Sequence, residues 1–142
     1  MAQIPANIRY PASIGSLEPL MSFVRSCLQS QGIGQERIGE IELAMEEILV
    51  NVFNYAYPDG TGDVEVACRS DNGEGLLVEV SDEGVSFDPL SLVEPDLEGD
   101  IGERPIGGLG VFFVRRLIPG VRYRREGGRN ILTLPIAAEP LL

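Results

Sequence analysis

The chain has 142 residues, 44% of them hydrophobic, and carries 11 cationic against 22 acidic side chains for a formal charge of −11. That length makes about one domain with a core of its own, and the acidity argues against nonspecific binding to nucleic acid or an anionic membrane while favouring a cationic or metal-bound partner. The longest apolar stretches, ILV before Asn51 and LGVFFV before Arg115, are too short to span a bilayer, so the expectation is a soluble cytoplasmic protein, residues 1–142 forming a single domain.

In chain order, NIRYPAS at 7–13 predicts a short strand. Ser16 is placed to cap a helix that carries Leu17, Leu20, Val24 and Leu28 at helical spacing and runs to Gly32. A second helix spans about Glu36 to Tyr57 and stops before Pro58-Asp59-Gly60, a turn in which proline and glycine set the backbone. DVEVACRS at 63–70 and LLVEVSD at 76–82 alternate apolar and polar residues, and DNGEG joins them as a hairpin. Residues 89–106 hold three prolines, two glycines and a run of acids, and their length predicts a functional loop or lid. Gly107 to Leu117 reads as a helix with a glycine-rich start, and 120–136 as a final hairpin turning at Gly127-Gly128. The pattern predicts an α+β two-layer sandwich, a mostly antiparallel sheet covered on one side by helices. Cys27 and Cys68, both in apolar-periodic segments, read as buried free thiols.

Two missing residue types narrow the chemistry. No histidine is present, which removes Ser-His and Cys-His nucleophiles, histidine metal ligands and phosphohistidine. All eleven cations are arginine, which removes the P-loop lysine, the kinase strand lysine and Schiff-base chemistry. Phosphate chemistry on this chain must use arginine, backbone amides or a metal.

Three stretches could supply it. In the second helix Ile41, Ala44, Met45, Ile48, Val52 and Ala56 form a buried stripe, while Glu47, Asn51 and Asn54 fall at i, i+4, i+7 and form a polar row beside it. Such a row is commonly a solvated face, with Glu36, Glu40 and Glu46 as further outward positions, but Leu49, Val50 and Phe53 make much of the remaining circumference apolar. A partly buried Glu and Asn one turn apart could share a hard cation and a hydroxyl, the amide oxygen on Mg²⁺ and the carboxylate taking a proton. In VSDEGVSFDP, Asp82 ends a strand and Gly84 permits a tight backbone; this is an ordinary strand-ending turn, or a carboxylate that accepts an exocyclic amine with Gly84 leaving room for the ring. In PIGGLGVFFVRRL, glycines open a helix, either for close packing or to present backbone N–H groups to a phosphate at the positive end of the helix dipole. The dinucleotide fingerprint fails there, since Phe113 stands at the third glycine position and no parallel βαβ unit surrounds it.

The order of the three stretches is more specific than any one of them. Glu47-xxx-Asn51 on a helix, Asp82-x-Gly84 after a strand and Gly107-Gly108-Leu109-Gly110 opening a helix after a loop resemble the N, G1 and G2 boxes of the GHKL ATPase superfamily, whose members share the histidine-kinase-like, or Bergerat, ATPase fold. EEILVNVFNYAYP, SFDP after Gly84 and GGLGVFFVRRL look most like the anti-sigma-factor serine kinases of bacterial partner-switching systems. The resemblance implies ATP and Mg²⁺ as cofactors. It implies Glu47 as the general base, Asn51 as the Mg²⁺ ligand, Asp82 with Gly84 beside it at the adenine, and Gly107, Gly108, Leu109 and Gly110 around the phosphates, with Arg104 reaching the triphosphate; Asn54 either lines the nucleotide pocket or merely extends the polar row. It further implies a STAS-type anti-anti-sigma protein as substrate, a sigma factor as second partner and a homodimer, with no role for nucleic acid or membrane. A GHKL-fold module that holds ATP or a protein partner without transferring phosphate is the other reading of the same residues. Two positions depart from the family pattern: Tyr55 stands where many members have histidine, and Ser86 replaces the second glycine of the D-x-G-x-G box.

Seven of the eleven arginines lie between 104 and 129 against one acid, Glu126, and Arg122 and Arg124 alternate with Val121 and Tyr123. They read as a solvated strand face or as a docking surface for an acidic protein partner.

Overall fold

The computed structural model describes residues 6–71, 75–91 and 108–137. Five strands, β1 (Ala6–Pro11), β2 (Asp63–Ser70), β3 (Gly75–Asp82), β4 (Arg122–Glu126) and β5 (Arg129–Ala137), form one sheet in the order β1-β2-β3-β5-β4, and every neighbouring pair is antiparallel. Three helices, α1 (Leu17–Ser30), α2 (Gln35–Tyr55) and α3 (Gly108–Leu117), complete the expected α+β architecture.

Period-2 alternation decides which way each strand faces. Val64, Val66 and Cys68 on β2, Leu76, Val78 and Val80 on β3, and Leu132, Leu134 and Ile136 on β5 are all buried and occupy one face in register. Leu20, Val24 and Leu28 of α1 and Ile41, Met45, Ile48 and Leu49 of α2 close the core over them. The other face is polar, and much of the arginine-rich segment is spent there: Arg129 meets Glu65 at 3.2 Å and Glu83 at 3.2 Å, and Arg124 meets Glu126 at 3.0 Å and Glu79 at 3.8 Å. These arginines lace the strands to one another, which leaves less of the stripe for an acidic partner than its sequence implied.

Three sequence expectations need correction. Ser16 does not cap α1: the chain winds from Ile14 as a short 3-10 turn, the Ser16 N–H donates to the Ser13 carbonyl at 2.9 Å, and Ser16 is itself in the helical region and buried. The second helix ends at Tyr55, with Ala56 as its last cap. Glu40 points inward, because Arg37, one turn earlier, is also buried and donates to Glu40 Oε1 at 2.7 Å. The same guanidinium donates to the Leu117 carbonyl at the end of α3 (2.8 Å) and to the Ala137 carbonyl at the end of β5 (3.3 Å). One side chain therefore ties the start of α2 to the ends of two other elements.

Cys27 and Cys68 are free and buried against each other between α1 and β2. Their mutual hydrogen bond and burial push the Cys68 thiol up, so it stays protonated and unreactive at neutral pH. No helix of the described residues is long and apolar enough to cross a membrane.

Candidate functional site

Glu47 and Asn51 lie one turn apart on α2, among the core residues Ile48, Leu49 and Val52, with Glu47 bordering a cavity shared with α3. Asn51 is only 2% exposed, and its Nδ2 donates to Glu47 Oε2 at 3.3 Å. That bond consumes the amide nitrogen and leaves Asn51 Oδ1 buried with no hydrogen-bond partner among the described residues. A buried amide oxygen without a donor costs about 1–3 kcal/mol, so its retention calls for a partner beyond the described residues. Burial raises the Glu47 carboxyl above the ordinary glutamate value and the neighbouring charge of Glu46 adds to this, while the bond from Asn51 opposes it. Asn54, the third member of the row, is exposed and does not join the pair.

Asp82 ends the inward-facing row of β3, in register with Val64 on one side and Asn130 on the other. Its Oδ1 accepts two bonds, from the Gly84 N–H at 2.9 Å and from Asn130 Nδ2 at 2.8 Å. Gly84 is required for a different reason from the one the sequence suggested. A Cβ there would lie 2.1 Å from the Ala56 carbonyl oxygen and 2.6 Å from its carbon, and the next N–H, of Val85, donates to that same oxygen at 2.8 Å. The missing side chain makes room for the end of α2. Gly84→Ala is expected to destabilise the fold by about 1–3 kcal/mol, the usual cost of overpacking, because the clash is with backbone; a change below about 0.5 kcal/mol in urea unfolding would refute this account.

Asn130 is the residue that sequence reasoning missed. Besides Asp82, its Nδ2 donates to the Val85 carbonyl at 2.8 Å. Its Oδ1 accepts from the Tyr123 hydroxyl at 2.7 Å, Arg125 at 3.1 Å and the Phe87 N–H at 3.2 Å. One side chain thus binds the loop after β3 to β4 and fixes the orientation of Asp82. The signal was present as a polar residue leading the apolar run of β5, but only the strand pairing puts it opposite Asp82.

Asp82 and Asn130 form the polar end of a closed cavity walled by Ile48, Val52, Val80, Phe87, Tyr123 and Leu132. Its volume is about 20 Å³, room for about one water. Phe87, whose ring lies 5.2 Å from that of Tyr55, stands at its wall with Pro89, so any planar ligand that reaches Asp82 must displace the 85–90 segment. Arg115 of α3 holds that segment from outside by donating to the Leu90 carbonyl.

The first turn of α3 begins at Gly108 and includes Leu109 and Gly110; Arg104 and Gly107 lie outside the described residues, as does most of the 89–106 segment. Glu47 borders a cavity of about 580 Å³ together with Phe113 and Leu117, which lie in the second half of α3, away from its glycine-rich start. Among the described residues no group of three or more acidic or cysteine side chains could hold a metal by itself. The donor set, one unpartnered amide oxygen beside one carboxylate, fits a hard cation that brings most of its own ligands with it.

The model of the histidine kinase-like ATPase domain matches residues 10–136. The serine-protein kinase RsbW of Listeria monocytogenes is 32% identical over 139 residues, covering 92% of this chain and 83% of that protein. The serine/threonine-protein kinase BtrW of Bordetella bronchiseptica is 26% identical over 101 residues, covering 70% of each. In three dimensions the chain is similar to a crystal structure of the RsbU and RsbW domains of a Mycobacterium tuberculosis protein, with a TM-score of 0.64 at 18% identity over 97% of this chain. It spans 33% of that larger chain. The family model runs from the end of β1 through β2, β3, β4 and nearly all of β5, with α1, α2 and α3, and the chain belongs to the histidine kinase-like ATPase domain family.

Proposed function

We propose that the chain is an ATP-dependent protein serine kinase of the anti-sigma-factor type, which phosphorylates a serine on a small STAS anti-anti-sigma protein and otherwise holds a sigma factor. The names of the relatives support the reaction class. The observation that carries the reading on this chain is the Glu47–Asn51 pair: a carboxylate with a raised proton affinity next to a buried amide oxygen that lacks a partner.

In this reading ATP enters with adenine toward Asp82, whose Oδ1 is already occupied by Gly84 and Asn130 and whose remaining oxygen accepts the exocyclic amine. The triphosphate runs toward the N-terminal end of α3, where the backbone amides at Gly108, Leu109 and Gly110 point at anionic oxygens. Asn51 Oδ1 would hold Mg²⁺, which when bound neutralises phosphate charge that this lysine-free chain must otherwise meet with arginine and amides. Arg104, Gly107 and a lid at 89–106 complete the proposed phosphate enclosure. Glu47 accepts the proton of the serine hydroxyl as its oxygen attacks the γ-phosphorus and ADP departs. We place the protein in the cytoplasm as a homodimer.

The test is calorimetric titration of ATP with and without Mg²⁺, followed by radiolabelled transfer to a STAS protein. Wild type is expected to bind ATP in a Mg²⁺-dependent manner, and Asn51→Ala to lose that dependence along with about 10–100-fold in affinity, the effect of one charge-assisted contact. Absence of ATP binding by the wild type would remove the core of the reading. The alternative is a GHKL-fold module that holds ATP or a protein partner without transferring phosphate, and ATP binding without transfer to any STAS protein would decide for it.

A further inference from the structure

The outer side of α2 is built like a binding face although nothing in the described chain covers it. Gly39, Leu43, Glu46 and Val50 recur there at helical spacing. Leu43 is 67% exposed, with Ile14 at 68% on the side of α1 and Phe113 at 54% on α3. The ridge of Leu43 and Glu46 separates two cavities, one of about 540 Å³ against α1 and the other of about 580 Å³ against α3. The two cavities lie on either side of that ridge, and the one against α3 includes Glu47 in its lining.

Two features identify what it takes. The first is charge: among the described residues Glu18, Glu42, Glu46 and Glu47 line the two cavities against a single cation, Arg25, which is already paired with Glu42. The second is Gly39. A glycine inside a helix is less favourable than alanine, yet here its φ is ordinary and a Cβ would meet no atom within 4 Å. The fold does not need it. A bare backbone patch beside exposed leucine and isoleucine allows another helix to approach closely.

We propose that this face is a docking groove for an amphipathic helix of a protein partner, with apolar residues for Ile14, Leu43 and Phe113 and arginine or lysine along its flanks for the glutamates. A second copy of this chain is a less suitable occupant of this face, whatever other surface the proposed homodimer uses, since it carries twice as many acids as arginines and two hairpin arginines, Arg124 and Arg129, are paired with Glu65, Glu79 and Glu83. Docking does not depend on the kinase reading. What rests on that reading is the consequence that an occupied groove brings the partner to Glu47.

The probe is a fluorescein-labelled helical peptide of roughly five turns with leucines at i, i+3, i+4, i+7 and arginines on the flanks. It is titrated into the full chain by anisotropy beside a scrambled peptide of equal composition. The amphipathic peptide is expected to bind at least about tenfold more tightly than the scrambled one. Leu43→Ser is expected to cost about tenfold, and Glu126→Gln on the β4–β5 hairpin nothing. Gly39→Ala supplies a readout that folding alone cannot mimic: it raises the melting temperature while weakening the peptide. Equal binding of the two peptides, or full affinity in Leu43→Ser, overturns the proposal. Concentration-dependent self-association in sedimentation that Leu43→Ser abolishes would assign the face to a second copy and overturn it as well. Phosphate transfer is not read in this titration, so a failed kinase assay leaves its outcome intact.

Discussion

Glu47→Gln lowers phosphoryl transfer by roughly 10²–10⁴-fold, the range that a positioned proton acceptor supplies, while ATP binding stays close to wild type. The amide keeps the shape of the side chain and can still accept the bond from Asn51 Nδ2, so the loss falls on the proton-transfer step. The carboxyl's proton affinity is raised chiefly by burial, and only the ionised form can take a proton. The acid limb of kcat/KM is therefore expected above pH 4.5, the ordinary glutamate value, and Glu47→Gln should erase that limb. The sign for stability is opposite. A carboxyl whose folded pKa is raised contributes stability below its unfolded pKa and loses it as pH rises through the folded pKa, so at neutral pH the variant should be no less stable than wild type. Equal transfer rates in the two proteins would dismiss Glu47 as the base, and loss of ATP binding would move its role to the ground state.

Arg37→Met costs about 3–5 kcal/mol of folding stability, the usual price of removing one partner of a buried ion pair. The expectation rests on the three bonds the guanidinium makes in three directions, to Glu40, to the Leu117 carbonyl and to the Ala137 carbonyl. In a chain of this size the loss corresponds to roughly 8–15 °C in melting temperature. Arg37→Lys is expected to recover only part of it, since a single ammonium on a flexible stem cannot match a planar fork to three fixed acceptors. The charge also sits at the C-terminal end of α3, where a cation opposes the negative end of the helix dipole. A loss below about 1 kcal/mol would mean that the buried network is replaceable by apolar packing.

Most of the secondary structure was legible because its signals are local. β2 falls at the predicted 63–70 and β3 within one residue of the predicted 76–82, since apolar alternation there is strict and DNGEG can only turn. The same parity that buries Val78 and Val80 continues to Asp82, so an inward carboxylate at a strand end was readable from VEVSD alone. The spacing of Glu47 and Asn51 fixed them on neighbouring turns of one helix. The misses have a common cause. Arg37 and Glu40 are charged and were taken as outward, yet they point into the molecule because two carbonyls far along the chain converge on Arg37. Ser16 has the side chain of a cap, but a preceding turn had already satisfied its role.

By itself the sequence determined the periodicities, and with them the elements, the face each buries and the absence of histidine and lysine chemistry. These depend on residues a few positions apart, where covalent geometry leaves few choices. Only the tertiary structure decided that Asp82 lies opposite Asn130, that Gly84 yields its space to Ala56, and that, among the described residues, Asn51 Oδ1 is buried without a partner and the face of Leu43 is uncovered. Each of these follows from the antiparallel register or from the seating of helices on the sheet, contacts between segments tens of residues apart that no local pattern encodes.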